Sequence, residues 1–244
     1  MNRDKLARVY NDLQNKYAYG RYGRFQPQRS TIYSSEDFIG MPLEKKYKTV
    51  IDVYPEDVLV VAEKYVDRIN KVLVLNLASA RHPGGGVERG AMAQEEELFR
   101  RTLYFTSLKR NLYPIQVTTN ILTPDILVVK DDNYMDLEKP FSVSMLAAAA
   151  IRYDKRIVSY KPHDRAIMQE TIMNIFRTAY KNGYDTLILG ALGCGAFKNP
   201  THQVVELYNE AIAKFNGCFK YIAFAVLDSR HDDNFDQFNE LIVR

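Results

Sequence analysis

The chain has 244 residues, 46% hydrophobic and 26% charged, with 12 Gly, 9 Pro and only 2 Cys; this composition suits one globular domain and excludes fibrous, disulfide-scaffold and zinc-cluster classes. Lys+Arg 33 against Asp+Glu 30 gives a formal net charge of +3, too small to imply direct nucleic-acid binding. The polar start Met1–Lys5 and a most apolar stretch, Val143–Ile151, far short of the ~20 residues of a membrane span argue against a signal peptide and a membrane protein, so an intracellular, cytoplasmic location is expected, or a nuclear one in a eukaryotic or virus-infected cell.

Leu6, Val9, Tyr10 and Leu13 share one face of an N-terminal helix. Tyr17–Tyr33 carries Gly20, Gly23 and Pro27 among many Arg and Tyr residues and reads as an arm packed on the surface. Basic residues interleaved with aromatics can bind single-stranded nucleic acid, but the small net charge favours an arm that buries tyrosine rings. Thr49–Tyr54 alternates as a strand, and Val58, Val61, Ala62, Tyr65 and Ile69 mark a helix. Val72–Leu75 is a continuous apolar run, the mark of a strand buried on both faces. Further strands are expected at Ile115–Thr119, Ile126–Val129, Thr186–Ala191 and Tyr221–Leu227, while Ser142–Ile151 fits strand or helix equally. Lys161-Pro162-His163-Asp164 reads as a helix start, followed by the helical spacing of Met168, Ile172, Ile175, Phe176 and Ala179; Val204, Tyr208, Ala211, Ile212 and Phe215 give another helix. Strands alternating with helices, without repeats or a linker, predict a single α/β layered domain with a parallel or mixed sheet.

In open α/β sheets the binding crevice lies at the carboxyl ends of the strands, and two glycine-rich segments fall there. Pro83-Gly84-Gly85-Gly86-Val87 comes shortly after the Val72–Leu75 strand, and its glycines let backbone lie against a ligand. Gly193-Cys194-Gly195-Ala196-Phe197-Lys198-Asn199 lies between the strand Leu187–Leu189 and the helix of Val204, the order that holds phosphate on amide groups and a helix N-terminus. Either loop alone fits a plain turn; the pair points to a phosphorylated ligand. Neither matches a Walker A loop or a dinucleotide fingerprint.

After a seven-residue spacer beyond Gly86, Gln94-Glu95-Glu96-Glu97 opens a helix. Glu97 is three and four residues before Arg100 and Arg101, which predicts pairing on a solvent face. Glu95 and Glu96 precede Leu98 and Phe99 at helical spacing and turn toward the Gly84–Gly86 loop.

Taken together, Asn76-Leu77-Ala78-Ser79-Ala80, Pro83-Gly84-Gly85-Gly86-Val87 and Gln94-Glu95-Glu96 resemble the signature of the poly(ADP-ribose) glycohydrolases, three glycines followed after a short spacer by Gln-Glu-Glu. Gly190–Phe197 and Asn234-Phe235 are similar to the compact, microbial-type branch. The resemblance spans roughly residues 46 to 240. It implies a macrodomain-like α/β fold, a mixed sheet sandwiched between helices, with an N-terminal helix and arm (1–45) packed on a catalytic domain (46–244). By the same resemblance Glu96 is the catalytic acid, and Glu95 binds ribose hydroxyls and helps place the scissile bond. Gly84, Gly85, Gly86 and Val87 line the distal ribose and diphosphate, beside Gln94. Gly193, Cys194, Gly195, Ala196 and Phe197 hold the diphosphate from the other side. Asn76 bonds a ribose hydroxyl and Asn199 braces the second loop. A second asparagine of some relatives is replaced by Ser79.

The implied reaction is hydrolysis of ribose–ribose O-glycosidic bonds, releasing ADP-ribose from the polymer or from ADP-ribosylated proteins, in an exo manner and by a monomer. The bond breaks through an oxocarbenium-like state, and a glutamate that delivers the proton needs a pKa above the ~4.3 of a free side chain. No cofactor or metal is required. The alternatives are a non-catalytic ADP-ribose-binding macrodomain and a hydrolase of mono-ADP-ribosyl or O-acetyl-ADP-ribose esters. Cys194 between two glycines is expected to serve by its small size, and His82, His163, His202 and His231 are scattered, with His231-Asp232-Asp233 read as a solvated turn.

Overall fold

The computed structural model describes residues 2–66, 70–228 and 232–243, so Ile69 and His231 lie outside the described residues. In chain order the elements are α1 (Arg3–Ala18), β1 (Thr31–Tyr33), β2 (Val50–Tyr54), α2 (Val58–Tyr65), β3 (Val72–Leu77), α3 (Gln94–Arg101), β4 (Asn120–Lys130), β5 (Asp136–Ala148), α4 (Pro162–Lys181), β6 (Thr186–Leu189), α5 (Thr201–Lys214), β7 (Tyr221–Ala225) and α6 (Asn234–Leu241). The strands form one seven-stranded sheet in the order β1-β4-β5-β3-β6-β7-β2. β5, β3, β6, β7 and β2 run parallel, and β4 and β1 are antiparallel additions at one edge.

The two-residue period of β3 builds both halves of the core. Leu73 and Leu75 pack with Met168, Ile172 and Phe176 of α4 and Val204, Tyr208 and Ala211 of α5. Val72 and Val74 pack on the other face with Val58, Val61 and Ala62 of α2 and Leu98 and Phe99 of α3. The result is a macrodomain-like layering of helices on both faces of a mixed sheet. Because β3, β6 and β7 are parallel neighbours, the loops that follow them open at one edge of the sheet.

Several segments differ from the sequence expectation. Ile115–Thr119 is a turn leading into β4: only Ile115 is buried, Val117 is 60% exposed, and Thr119 N–H donates to the Gln116 carbonyl. β4 therefore runs from Asn120 to Lys130, with a register shift around Pro124 and Asp125, whose φ is 51°. Ser142–Ile151 resolves as the last part of β5, ending at Ala148; the alanine-rich run is strand because it pairs with β3 on one side and β4 on the other. α1 continues through Tyr17, and the arm ends in β1, where Ile32 pairs with Ile121 of β4. β6 and β7 stop at Leu189 and Ala225, two residues short of the expected ends, and α6 was unmarked by periodicity.

Candidate functional site

The site grows from the end of β3. Gln94, the first residue of α3, clamps the helix start to that strand: its side-chain carbonyl accepts from Leu77 N–H at 2.9 Å, and its amide donates to the Leu75 carbonyl at 2.7 Å. This docking turns the next two carboxylates onto the loop of Gly84–Gly86. Glu95 accepts from Ser79 N–H at 2.7 Å, Gly84 N–H at 3.2 Å and the Asn76 side-chain amide at 3.4 Å. Glu96 accepts from Gly86 N–H at 2.8 Å through Oε1 and from Ala93 N–H at 3.0 Å through Oε2, so one side chain fixes both the loop and the helix N-terminus.

The glycines are required by space as much as by conformation. At Gly85, φ is +55° and a Cβ would stand 2.5 Å from Glu96 Oε1 and 3.2 Å from Glu95 Oε2. The two carboxylates, 3% and 7% exposed, thus lie against bare backbone. Burial pushes the Glu95 carboxyl up to about 8; hydrogen bonds from Ser79, Asn76 and Gly84 pull it down, and the charge of Glu96 raises it. Glu95 therefore stands as an acid well above the ordinary carboxylate range.

Glu97 departs from expectation. Its Oε1 accepts from Arg100 at 2.7 Å and its Oε2 from the Tyr134 hydroxyl at 2.8 Å. Both arginines are buried, since Arg100 also reaches the carbonyls of Leu6 and Ala91, and Arg101 pairs with Asp57 at 2.6 Å. Packing of α1 over α3 covers what the spacing alone presents as a solvent face.

The second loop is braced by Asn199. Its buried amide donates to the carbonyls of Ile151 at 2.7 Å, Gly193 at 3.0 Å and Phe197 at 3.3 Å, while its oxygen accepts from the Tyr160 hydroxyl at 2.7 Å. Cys194 is buried beneath the loop and burial pushes its thiol up to about 12, which leaves no thiolate at neutral pH. Gly195 and Ala196 are exposed, and the Phe197 ring lies under the Arg152 guanidinium.

A cavity of about 440 Å³ joins the two halves, bounded by Gln94 and Ala93 on one side and Gly193, Gly195, Ala196 and Phe197 on the other. Glu95, Glu96, Asn76 and the Gly84–Gly86 loop are not among its walls; they adjoin it through Gln94, and Asn76 and Val87 are buried behind the surface. Sequence reasoning missed the part of the lining formed by Glu56, Asp57, Val226 and Leu227. The available signal was positional: 56–57 and 226–227 follow β2 and β7, whose ends open on the same edge. Among the described residues no group of three or more His, Cys, Asp or Glu is placed to hold a metal ion, and no helix is long and apolar enough to cross a membrane.

Comparison with known proteins agrees with this fold. The crystal structure of poly(ADP-ribose) glycohydrolase from Thermomonospora curvata superposes with a TM-score of 0.83 at 24% identity, covering 96% of this chain and 98% of that one. The same enzyme bound to the inhibitor ADP-HPD gives 0.80 at 24% identity, with the same coverage. The Deinococcus radiodurans glycohydrolase in complex with ADP-ribose gives 0.76 at 24% identity, covering 86% of this chain and 92% of that one. No curated protein matches the sequence. The family model for the microbial-type PARG catalytic domain matches residues 9–129, which include the Gly84–Gly86 loop and Gln94-Glu95-Glu96. The chain belongs to the microbial-type PARG family.

Proposed function

We propose that this chain hydrolyses the ribose–ribose O-glycosidic bonds of poly(ADP-ribose), releasing ADP-ribose, and that Glu96 and Glu95 carry the chemistry. The observation that supports this most is the pair of consecutive carboxylates folded onto glycine backbone beside a cavity whose opposite wall is a second glycine loop. A terminal ADP-ribose would lie along the cavity, with its diphosphate on the Gly193–Phe197 loop and its distal ribose over Gly84–Gly86. The part of the lining at Glu56 and Asp57 would receive the adenine.

In this reading Glu96 delivers a proton to the leaving ribose oxygen as the C–O bond breaks. Water then adds to the oxocarbenium carbon, and the proton that water loses returns to the carboxylate. Glu95, holding its proton at neutral pH, donates to a ribose hydroxyl, so the pair carries only one negative charge after Glu96 has given up its proton. The diphosphate and two ionised carboxylates would otherwise crowd like charges into one buried space. The route needs no metal. We further infer an N-terminal unit, residues 1–45, packed on the catalytic domain, and a monomer acting on protein-borne polymer.

The test is Glu96→Gln assayed on labelled polymer, with binding of ADP-ribose read separately as a rise in melting temperature. Turnover should fall by at least roughly 10²–10⁴-fold, the usual contribution of a general acid, with the thermal shift retained. Near-wild-type turnover would remove Glu96 from the acid role. A wild-type protein that binds ADP-ribose without releasing it from polymer would instead be a binding module.

A further inference from the structure

Behind Glu95 lie buried polar groups that neither loop accounts for. Asn76 Oδ1 and the hydroxyls of Tyr104 and Tyr113 are all buried and, among the described residues, have no hydrogen-bond partner. They converge on one group. Asn76 already contacts Glu95 through its amide, the Tyr113 hydroxyl lies beside the Glu95 carboxyl, and Tyr104 lies beside Asn76 and Thr123. Buried oxygens rarely go unpaired, and three around one carboxyl ask for an explanation.

The fixed partners of Glu95 supply half of one. Ser79 N–H, Gly84 N–H and the Asn76 amide are donors only, so they suit the carboxylate and offer nothing to an acid proton. A protonated Glu95 needs an acceptor for its O–H. The nearby groups able to accept are Asn76 Oδ1 and the two phenol oxygens, and a phenol can turn and donate once the proton leaves. Burial holds both phenols well above their ordinary range, so they stay protonated donors. The other charge facing this group is Glu96 on the same helix.

We propose that Tyr113, backed by Tyr104, is a positioning residue that keeps Glu95 hydrogen-bonded in both of its protonation states. Its role is to let the carboxyl gain or lose a proton without leaving a buried oxygen unpaired, so that Glu95 holds its place on the Gly84–Gly86 loop throughout the cycle. The assignment rests on the glycohydrolase reading for its purpose, but its physical content can be tested without turnover.

The experiment uses the full chain and the variants Tyr113→Phe, Tyr104→Phe and the double variant, each of which keeps its ring and its packing. Glu95 is followed by ¹³C-carboxyl NMR against pH in the ligand-free protein, with its resonance assigned from Glu95→Gln, and the pH profile of kcat/KM on purified polymer is measured in parallel. The bond a phenol gives the anion is about twice as strong as the one it accepts from the acid, so losing both should raise the Glu95 titration, by about one pH unit in Tyr113→Phe and further in the double variant. The kinetic limb should move by the same amount, while KM and the ADP-ribose thermal shift stay near wild type. Titrations that coincide with wild type overturn the proposal, as does a fall in rate with an unmoved profile. If the wild type fails to release ADP-ribose, the glycohydrolase reading falls, and the NMR shift alone still decides the role of Tyr113.

Discussion

Removing the Glu97 carboxylate by Glu97→Ala leaves Arg100 as a buried cation without its counter-charge. The Arg100 side chain is fully buried and that of Glu97 is 21% exposed, with 2.7 Å between them. Breaking a fully buried pair by deleting one partner costs about 3–5 kcal/mol, because the remaining charge stays desolvated. The lower end applies here, about 3 kcal/mol, since the carboxylate is partly solvated and Arg100 keeps the carbonyls of Leu6 and Ala91. For a chain of this size each kcal/mol moves the midpoint by roughly 2–4 °C, so the melting temperature should drop by roughly 6–12 °C. Glu97→Gln, which keeps an acceptor and loses the charge, should lie between this variant and wild type. The assay is thermal unfolding by far-UV circular dichroism without ligand. A Glu97→Ala midpoint within about 1 °C of wild type would refute the buried pair and restore the solvent-face reading that the i, i+3 and i, i+4 spacing alone suggests.

The Glu95 carboxyl stays protonated up to about 8, against 4.5 for a free glutamate. Between those values the unfolded chain binds fewer protons than the native one, so stability falls as pH rises, by up to about 1.4 kcal/mol per unit; the contribution is complete below the lower value and lost above the upper. Denaturant titrations at several pH values should show this slope in wild type and its absence in Glu95→Gln, and parallel curves would mean Glu95 titrates normally. At Gly193, φ is +78° and a Cβ would stand 2.5 Å from Asn199 Nδ2 and 2.6 Å from the Ala150 methyl. Gly193→Ala should therefore lower the melting temperature and abolish the ADP-ribose thermal shift. At Gly195 a Cβ meets nothing within 4 Å, so Gly195→Ala should melt like wild type and Gly195→Glu should fold but lose the shift; a stable, ligand-responsive Gly195→Glu would show that the second loop does not hold the diphosphate.

What the sequence makes legible follows from which forces are local. β3 is readable because a strand between two parallel neighbours needs apolar residues on both faces, and Val72–Leu75 supplies them. α4 and α5 are readable because each has one apolar stripe facing the sheet. Ser142–Ala148 is not, because an alanine-rich run is decided by what pairs with it, and its partners in β3, such as Leu73 opposite Ser144, are distant in sequence. β1 is missed for the same reason: three residues gain strand geometry only from β4. In the site, the loop glycines and Gln94-Glu95-Glu96 stand out as a pattern within one stretch of chain. The burial of Arg100 depends on α1, and the part of the lining at Glu56, Asp57, Val226 and Leu227 depends on β2 and β7 being neighbours, which no local spacing encodes.

The two adjacent glutamates also show why one stretch of chain can hold both architecture and chemistry. Glu96 ties Gly86 N–H to Ala93 N–H, so it closes the loop onto the helix start before any substrate arrives. Glu95 reaches the other way, to Ser79 and Gly84, and fastens the same loop to the end of β3. A carboxylate held by two backbone donors would need no reorganisation for the proposed placement of a ribose on the glycines, which is the condition for electrostatic preorganisation. The same bonds complicate mutagenesis, because Glu96→Ala removes a helix cap and a loop anchor along with the proposed acid. Glu96→Gln still offers one acceptor oxygen and loses one backbone bond, about 1 kcal/mol, so a collapse of turnover in that variant reports the missing proton and not a dissolved loop.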